Sequence, residues 1–465
     1  MNKLAIVAAA LLVVALLVAP WLVGSITEAR VRERVAAIDA SPTATAEVKS
    51  FDRGWFRSTA KIELSLVPDN VAQLADVTAN LGPFAKLPIA IEFGHGPIAV
   101  LDGVHFGWSK LVARPDTEAP GVTELQQTLG VPYLFEFRGR SSYTGRLRFD
   151  ADSPPFTLPI DEALLTFSGA TLAGTFARQH LDADANISAV EFAWATGSFA
   201  IRGLFATADN ELRQYVMPGK GSLSIESIQA SDTTQGTAPL FEAKNLKIQS
   251  DVALDAAQEL AAMRLDYGLD SARVDDTEVT AAALGVAVRN VDVAALEAYG
   301  AAATDAAAAG ADPSTIKAAL GPHLERALKA GPSLTLDPLR FRYDDEPFEG
   351  RLEITTNTQR LPPAGTLDLD NPLLMLGLVN ADAEVRVSKP LGAELAKLAA
   401  RLQLGADPSI SPDQLEYMAE AQSGLMLTML VGQGVLLEDG DGYRSSVQFR
   451  DGAVTLNGNV LPFGL

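Results

Sequence analysis

No cysteine occurs among the 465 residues, which removes disulfide frameworks, zinc ribbons and thiol catalysis together. Histidine is scarce, with only His95, His105, His180 and His323, and no H-E-x-x-H spacing joins any of them to an acid. No G-x-S-x-G elbow occurs, so the commonest hydrolase serine lacks support. Basic residues are outnumbered, 37 Lys and Arg against 58 Asp and Glu, for a net charge of −21. Phosphate binding needs clustered Lys and Arg, so a nucleic-acid partner is not expected. The same balance argues against a body lying flat on anionic lipid. The acidity reads first as solubility and second as selection of basic partners.

One long apolar run is present. Leu4 to Val23 reads LAIVAAALLVVALLVAPWLV, without a charge, directly after Lys3. At about 1.5 Å of rise per residue it makes a helix of roughly 30 Å, the thickness of a hydrocarbon core. A cleaved signal usually has an apolar stretch of about 7–15 residues and a small-x-small site. The early candidate near Ala19 is followed by Pro20, and a weaker one ends at Ser25. A retained transmembrane anchor is therefore expected. Arg30, Arg32 and Arg34 are interleaved with Glu28 and Glu33, so charge counting does not settle orientation. A segment this early usually leaves the amino terminus in the cytoplasm and exports the rest.

With 48% hydrophobic residues the remainder is a folded body. Thr27 to Ile38 reads as a charged helix. After it, period-2 alternation begins: Ala60, Ile62, Leu64 and Leu66; Tyr133, Phe135 and Phe137; Leu147 and Phe149. It returns at Leu223/Ile225, Leu246/Ile248, Leu352/Ile354 and Val385/Val387. Such alternation, charged on the second face, indicates antiparallel strands with one wet face. Gly145, Gly221 and Gly350 each open a similar five-residue segment, either a duplicated β unit or the common look of a strand leaving a glycine turn.

Helices concentrate in the second half. Asp292 caps a segment through Tyr299, and Asp312-Pro313 opens a helix running to Gly331-Pro332. Two more follow Pro390 and Ser411-Pro412. The end is a hairpin, Tyr443–Phe449 and Ala453–Leu456, turning on Asp451-Gly452. The expected class is α+β, an N-terminal transmembrane helix before a predominantly antiparallel, β-rich body. The expected divisions are 1–26 anchor, 27–46 charged helix and linker, 47–250 β-rich periplasmic region, 251–331 helical insertion or inter-domain region, and 332–465 C-terminal α+β region.

Candidate chemistry is thin. Gly94-His-Gly-Pro-Ile-Ala99 matches a dinucleotide fingerprint in form, but Pro97 removes an amide and no helix opens there. Asp182, Asp184 and Asn186 begin like a calcium loop, yet Ile187 stands where glycine is needed and Ala193 where glutamate is needed. Asp439-Gly-Asp-Gly442 reads as a turn. His95 and His105 could share a metal only from adjacent strands. Acidic pairs such as Asp344/Asp345 and Asp368/Asp370 are common, and nothing selects a catalytic dyad. No catalytic, cofactor or metal site is assigned. On the last long helix Leu415, Met418, Leu425 and Met429 recur at helical spacing. They read either as core or as a dimer or lipid-facing surface.

The block Phe51-Asp-Arg-Gly-Trp-Phe-Arg-Ser58, soon after an apolar N-terminal run, resembles the YdgA/YihF family of bacterial envelope proteins, a domain of unknown function. His95-Gly-Pro97 and the ending Val454 to Pro462 agree with it. The resemblance implies an inner-membrane protein anchored through residues 4–23, facing the periplasm, with a homodimer as an option and no reaction or catalytic residue to carry over. Within the first motif, Arg53, Gly54, Trp55 and Phe56 stand as a structural corner or a partner site. The leading expectation is a non-enzymatic envelope scaffold. The alternative is a lipid-binding or lipid-transfer protein, by analogy with AsmA-like proteins, which takes phospholipid on the apolar face of a curved sheet.

Overall fold

The computed structural model describes residues 23–33, 35–36, 44–66, 86–213, 216–232, 239–275, 277–308, 313–363, 365–367, 371–404 and 412–461. The chain divides into two units, Met1–Asp209 and Asn210–Leu465. The alternation read as ending at residue 250 runs on through two further strands, Leu260–Val274 and Thr277–Asp292.

The first unit opens with helix α1 (23–33). Its strands are β1 (Ala44–Arg53), β2 (Arg57–Leu66), β3 (Lys86–His95), β4 (Ile98–Val100), β5 (Val104–Phe106) and β6 (Ser109–Pro115). After helix α2 (Val122–Leu129) come β7 (Glu136–Ser141), β8 (Leu147–Ser153), β9 (Phe156–Ile160), β10 (Ala163–Phe167), β11 (Ala170–Ala177) and β12 (His180–Trp194). Strand β13 (Gly197–Glu211) reaches the boundary. Every pairing is antiparallel, in the order β1-β2-β3-β6-β7-β8-β11-β12-β10-β9. Strands β4 and β5 form a hairpin apart. Tyr133 and Phe135, read as strand, precede β7; the pairing begins only at Glu136.

The second unit is a meander of long strands: β14 (Gly219–Asp232), β15 (Pro239–Leu254), β16 (Leu260–Val274) and β17 (Thr277–Asp292). The longest, β15 and β17, have 16 residues each, roughly 50 Å at about 3.3 Å per residue. Helices α3 (Val293–Ala308) and α4 (Pro313–Lys329) intervene before β18 (Ser333–Tyr343) and β19 (Glu346–Thr356). Helix α5 (Pro372–Gly377) precedes β20 (Val379–Ser388). Helices α6 (Lys389–Leu404) and α7 (Pro412–Gly432) precede β21 (Leu437–Asp439), β22 (Gly442–Arg450), β23 (Ala453–Leu456) and β24 (Asn459–Val460). Pairing runs β14 through β20 in sequence order, then β22, which takes β21 and β23 beyond it.

Local chemistry explains these elements. Asp292 Oδ1 accepts the Ala295 amide at 2.7 Å, the N-cap that starts α3. The span read as helical from residue 251 carries strands as far as Asp292, and its helices are Val293–Ala308 and Pro313–Lys329. Its alanines and glycines hid a period of two. Asp344 and Asp345 both adopt positive φ, 46° and 66°, and make the two-residue turn between β18 and β19. Asp344 is a turn residue that accepts the Glu278 amide at 2.8 Å. Asp368 and Asp370 lie outside the described residues. Asp451-Gly452 is the positive-φ turn its sequence predicts, φ 56° and 80°. Gly221 and Gly350 sit inside β14 and β19, whereas Gly145 occupies a turn, so the shared segment is not one shared turn.

Among the described residues no helix is long and apolar enough to cross a membrane. Apart from Val23, the run Leu4–Val23 lies outside them.

Candidate functional site

The two motif segments of the first unit meet. Phe51 to Ser58 covers the end of β1, the turn at Gly54 to Phe56, and the start of β2. A Cβ at Gly54 would fall 2.2 Å from the Arg57 carbonyl, so only glycine fits this corner. The Phe56 carbonyl accepts the His95 amide at 2.8 Å. Ser58 and His95 are both buried, 1% and 0% exposed, and His95 Nε2 lies 2.7 Å from Ser58 Oγ. The Phe93 ring stacks on His95 with centroids 6.3 Å apart. A Cβ on Gly24 of α1 would lie 3.5 Å from the imidazole, so the helix closes over the ring. Glu28 of the same helix stands 3.8 Å from Arg53.

Burial holds the His95 pKa below its ordinary value, because the charged ring would lose its hydration. Its Nδ1 is buried without a hydrogen-bond partner among the described residues. A serine beside a histidine resembles an activated nucleophile, but such a base needs an orienting group on its other nitrogen and a path for substrate. Among the described residues this pair has neither. It joins β2 to β3 and seats α1.

The remaining histidines do not gather. His105 Nε2 lies 3.1 Å from the Ser141 carbonyl, His180 lies 2.7 Å from Asp209, and His323 is on α4. Among the described residues no group of three His, Asp or Glu side chains could hold a metal. Gly94 to Ala99 runs from β3 into β4, with no helix after it. Asp182, Asp184 and Asn186 alternate along strand β12 and form no loop. Asp439 to Gly442 is the turn between β21 and β22.

On α7, Met418, Leu425 and Met429 are exposed while Leu415 is half-buried. The contact with α6 uses small residues, Ala396 and Ala400 against Ala419 and Ser423, all buried. Lys397 holds Glu416 at 2.5 Å and Glu420 at 3.1 Å across the pair. The spacing of Leu and Met thus marks the outward face.

The largest feature is one that residue types alone did not disclose. In the second unit, directly paired residues form an apolar row across eight strands: Val252, Met263, Val288, Leu334, Ile354, Ala381, Phe449 and Val454. A second row on that face runs Leu265, Val286, Leu336, Leu352, Ala383, Val447 and Leu456. Not one of these residues is buried. Among the described residues, a tight cluster of Val216, Ala261 and Val293 has Val252 and Met263, the first two members of the first row, packed against it. In the first unit the corresponding row runs Phe51, Ala60, Ile91, Ala113, Phe137, Ala151, Leu172 and Ala185. There Ala60 and Ala113 are buried, whereas Ala151, Leu172 and Ala185 are half-exposed.

The reverse face is charged and internally paired. Glu384 accepts a hydrogen bond from Arg386 at 3.2 Å and forms ion pairs with Arg351 at 2.7 Å and Arg444 at 2.9 Å. A cleft of about 380 Å³ on that face is lined by Arg340, Glu349, Arg351, Glu384 and Arg386, beside the bulge at Asp337-Pro338. Arg138 likewise bridges Asp150 and Asp152, both at 3.2 Å, in the first unit. Hydrogen bonding to Asp152 raises the Tyr133 pKa.

Among protein families, residues 1–463 match a model described as "Bacterial protein of unknown function (DUF945)". The chain belongs to that family. No curated protein matches it, and no solved structure does.

Proposed function

We propose that this member of a bacterial family of unknown function is an envelope protein of YdgA/YihF type. It is anchored in the inner membrane through residues 4–23, with its body in the periplasm, and works by binding rather than by catalysis. The bound class is phospholipid, with acyl chains laid against the apolar face of the second unit's sheet. The observation that carries this reading is the row Val252 to Val454, apolar on eight neighbouring strands and only half-buried along its length. Contiguous apolar surface on a soluble body commonly marks a binding site, and here one row crosses eight strands and the other seven. Chains of CH₂ groups suit such a surface, since each one buried contributes about 0.8 kcal/mol.

The test uses the full chain in membranes supplied with a phospholipid whose acyl chain carries a photoreactive group. Crosslinks are expected on β16 to β19, and Val286→Glu with Leu336→Glu should remove them while leaving crosslinks on residues 4–23. Crosslinks confined to residues 4–23 in the unaltered chain would overturn the lipid-binding reading.

A second reading, a scaffold that docks another protein or a second copy, rests on the α6–α7 pair. Leu398, Leu402, Leu425 and Met429 are exposed there, Leu402 and Leu425 by about three quarters. A photoreactive residue at 425 in intact cells should then yield one reproducible protein adduct.

A further inference from the structure

Several exposed aromatic residues of the first unit gather at one end of its sheet, apart from Trp194, Phe199 and Phe205 on β12 and β13. Trp55 and Phe56 form the β1–β2 turn, Val104 and Phe106 stand on the β4–β5 hairpin, and Trp108 precedes β6. All are exposed, Phe106 by 68% and Val104 by 63%. Register places them together: Gly94 pairs with Arg57, His95 with Ser109, Ser109 with Ser141, and Ser141 with Leu147. Hydrogen bonds tie the turns into one edge. The Trp108 carbonyl accepts the Gly96 amide at 3.1 Å, and the Trp108 amide reaches the Ser141 carbonyl at 3.0 Å. Trp108 Nε1 donates to the Tyr143 carbonyl at 3.0 Å, with their rings edge to face at 5.8 Å.

Two independent observations say what this edge meets. Gly24, the residue directly after the twenty apolar positions, packs against His95 and Arg53 at this end. The residue that follows a run of membrane length in the sequence therefore sits beside the aromatic edge. Second, Lys110, Arg140 and Arg148 lie directly opposite one another on three neighbouring strands. Like charges so placed repel, and neither Arg140 nor Arg148 has an ion pair among the described residues. Arg146 adds a further exposed charge in the adjoining turn. Two carboxylates at this end are engaged elsewhere, Glu92 with Arg57 at 3.6 Å and Asp102 with Arg114 at 3.7 Å. Tryptophan and tyrosine prefer the bilayer interface, and basic residues beside it attract anionic headgroups.

The geometry points to this edge as a membrane-docking surface: Trp55, Phe56, Phe106 and Trp108 seat in the interface of the bilayer that holds residues 4–23, with Arg140, Arg146 and Arg148 against anionic phospholipid headgroups. The inference rests on the anchoring reading above and adds to it a fixed orientation of the first unit against the lipid.

The absence of native cysteine makes the test direct. Single substitutions Phe106→Cys, Val104→Cys and, as a control on an exposed strand position, Thr171→Cys carry an environment-sensitive fluorophore. Each full chain is reconstituted in vesicles of equal parts phosphatidylcholine and phosphatidylglycerol, with or without a nitroxide-bearing lipid. Labels at 104 and 106 should shift to the blue and be quenched several-fold more than the label at 171. Arg140→Glu with Arg148→Glu should reduce that quenching. Equal quenching at 104, 106 and 171 overturns the docking surface. Carbonate washing judges the anchor separately: a chain that resists it while labels 104 and 106 stay aqueous refutes docking alone. A chain that washes off, yet shows quenching at 104 and 106 before the wash, refutes the anchor alone.

Discussion

Ser58 Oγ and His95 Nε2 stand 2.7 Å apart with both side chains sealed from solvent. Two sequence segments 37 residues apart are joined by this contact, and α1 closes over it. A pair that could be read as nucleophile and base is instead the seam between the first helix and the first three strands.

Replacing Ser58 with alanine removes the partner of a buried ring nitrogen. A buried polar group left unsatisfied costs about 1–3 kcal/mol, so Ser58→Ala should lower stability by that order. Denaturant titration of the full chain would read it, and a loss below about 0.3 kcal/mol would mean the contact contributes nothing measurable.

The same residue sets a pH dependence. Burial lowers the folded-state pKa of His95 below the ordinary histidine value of 6.5, so between the two values the unfolded chain binds the extra proton. Stability from this residue is therefore present above about pH 6.5 and is lost as the pH falls toward the lower folded value. His95→Leu should flatten that part of the stability profile, whatever it does to the absolute stability.

Glu384 offers a contrast, a half-buried acid facing three arginines. Glu384→Gln should destabilise by about 1–2 kcal/mol, since Arg351, Arg386 and Arg444 would then face one another without a counter-charge. Added salt should recover part of the loss. Thermal melts at low and high ionic strength measure both effects, and a loss independent of salt would contradict the charge argument.

Backbone approach limits Gly285. A Cβ there would lie 2.4 Å from the Asp337 carbonyl and 2.9 Å from an Arg264 nitrogen. Gly285→Ala must push β17 from the β18 bulge, at a cost of about 1–3 kcal/mol. Hydrogen exchange should show the loosened amides on these two strands first.

On α7 the expected outcome is neutrality in stability. Leu425 and Met429 are 73% and 53% exposed, so Leu425→Gln with Met429→Gln should change stability by no more than about 0.5 kcal/mol. If the α6–α7 face joins two copies or docks a partner, sedimentation or crosslinking should lose that association while the melting curve holds.

Much of the local structure was legible because it depends on neighbours in sequence. Asp292 as a cap, Pro412 at a helix start and Asp451-Gly452 as a hairpin turn are decided within a few residues. Misreadings arose where local chemistry was ambiguous. In β17 the segment Ala281-Ala-Ala-Leu-Gly-Val-Ala287 carries no contrast between faces, because alanine and glycine fit either period. Asp344 and Asp345 stood in sequence as one acidic pair among several, because a turn with two positive-φ positions and a paired carboxylate site favour the same residue type.

The sequence by itself determined the alternation, the caps, the turns and a net charge that argues against anionic partners, since these follow from composition and from spacing along the chain. Register decided the rest. Only pairing between distant strands sets Val252, Met263, Val288 and Leu334 in one half-buried row, and only it brings Lys110, Arg140 and Arg148 abreast within a protein of net charge −21. A period of two assigns each side chain to a face; which faces lie side by side, and which remain uncovered, depends on hydrogen bonds between residues far apart in the chain.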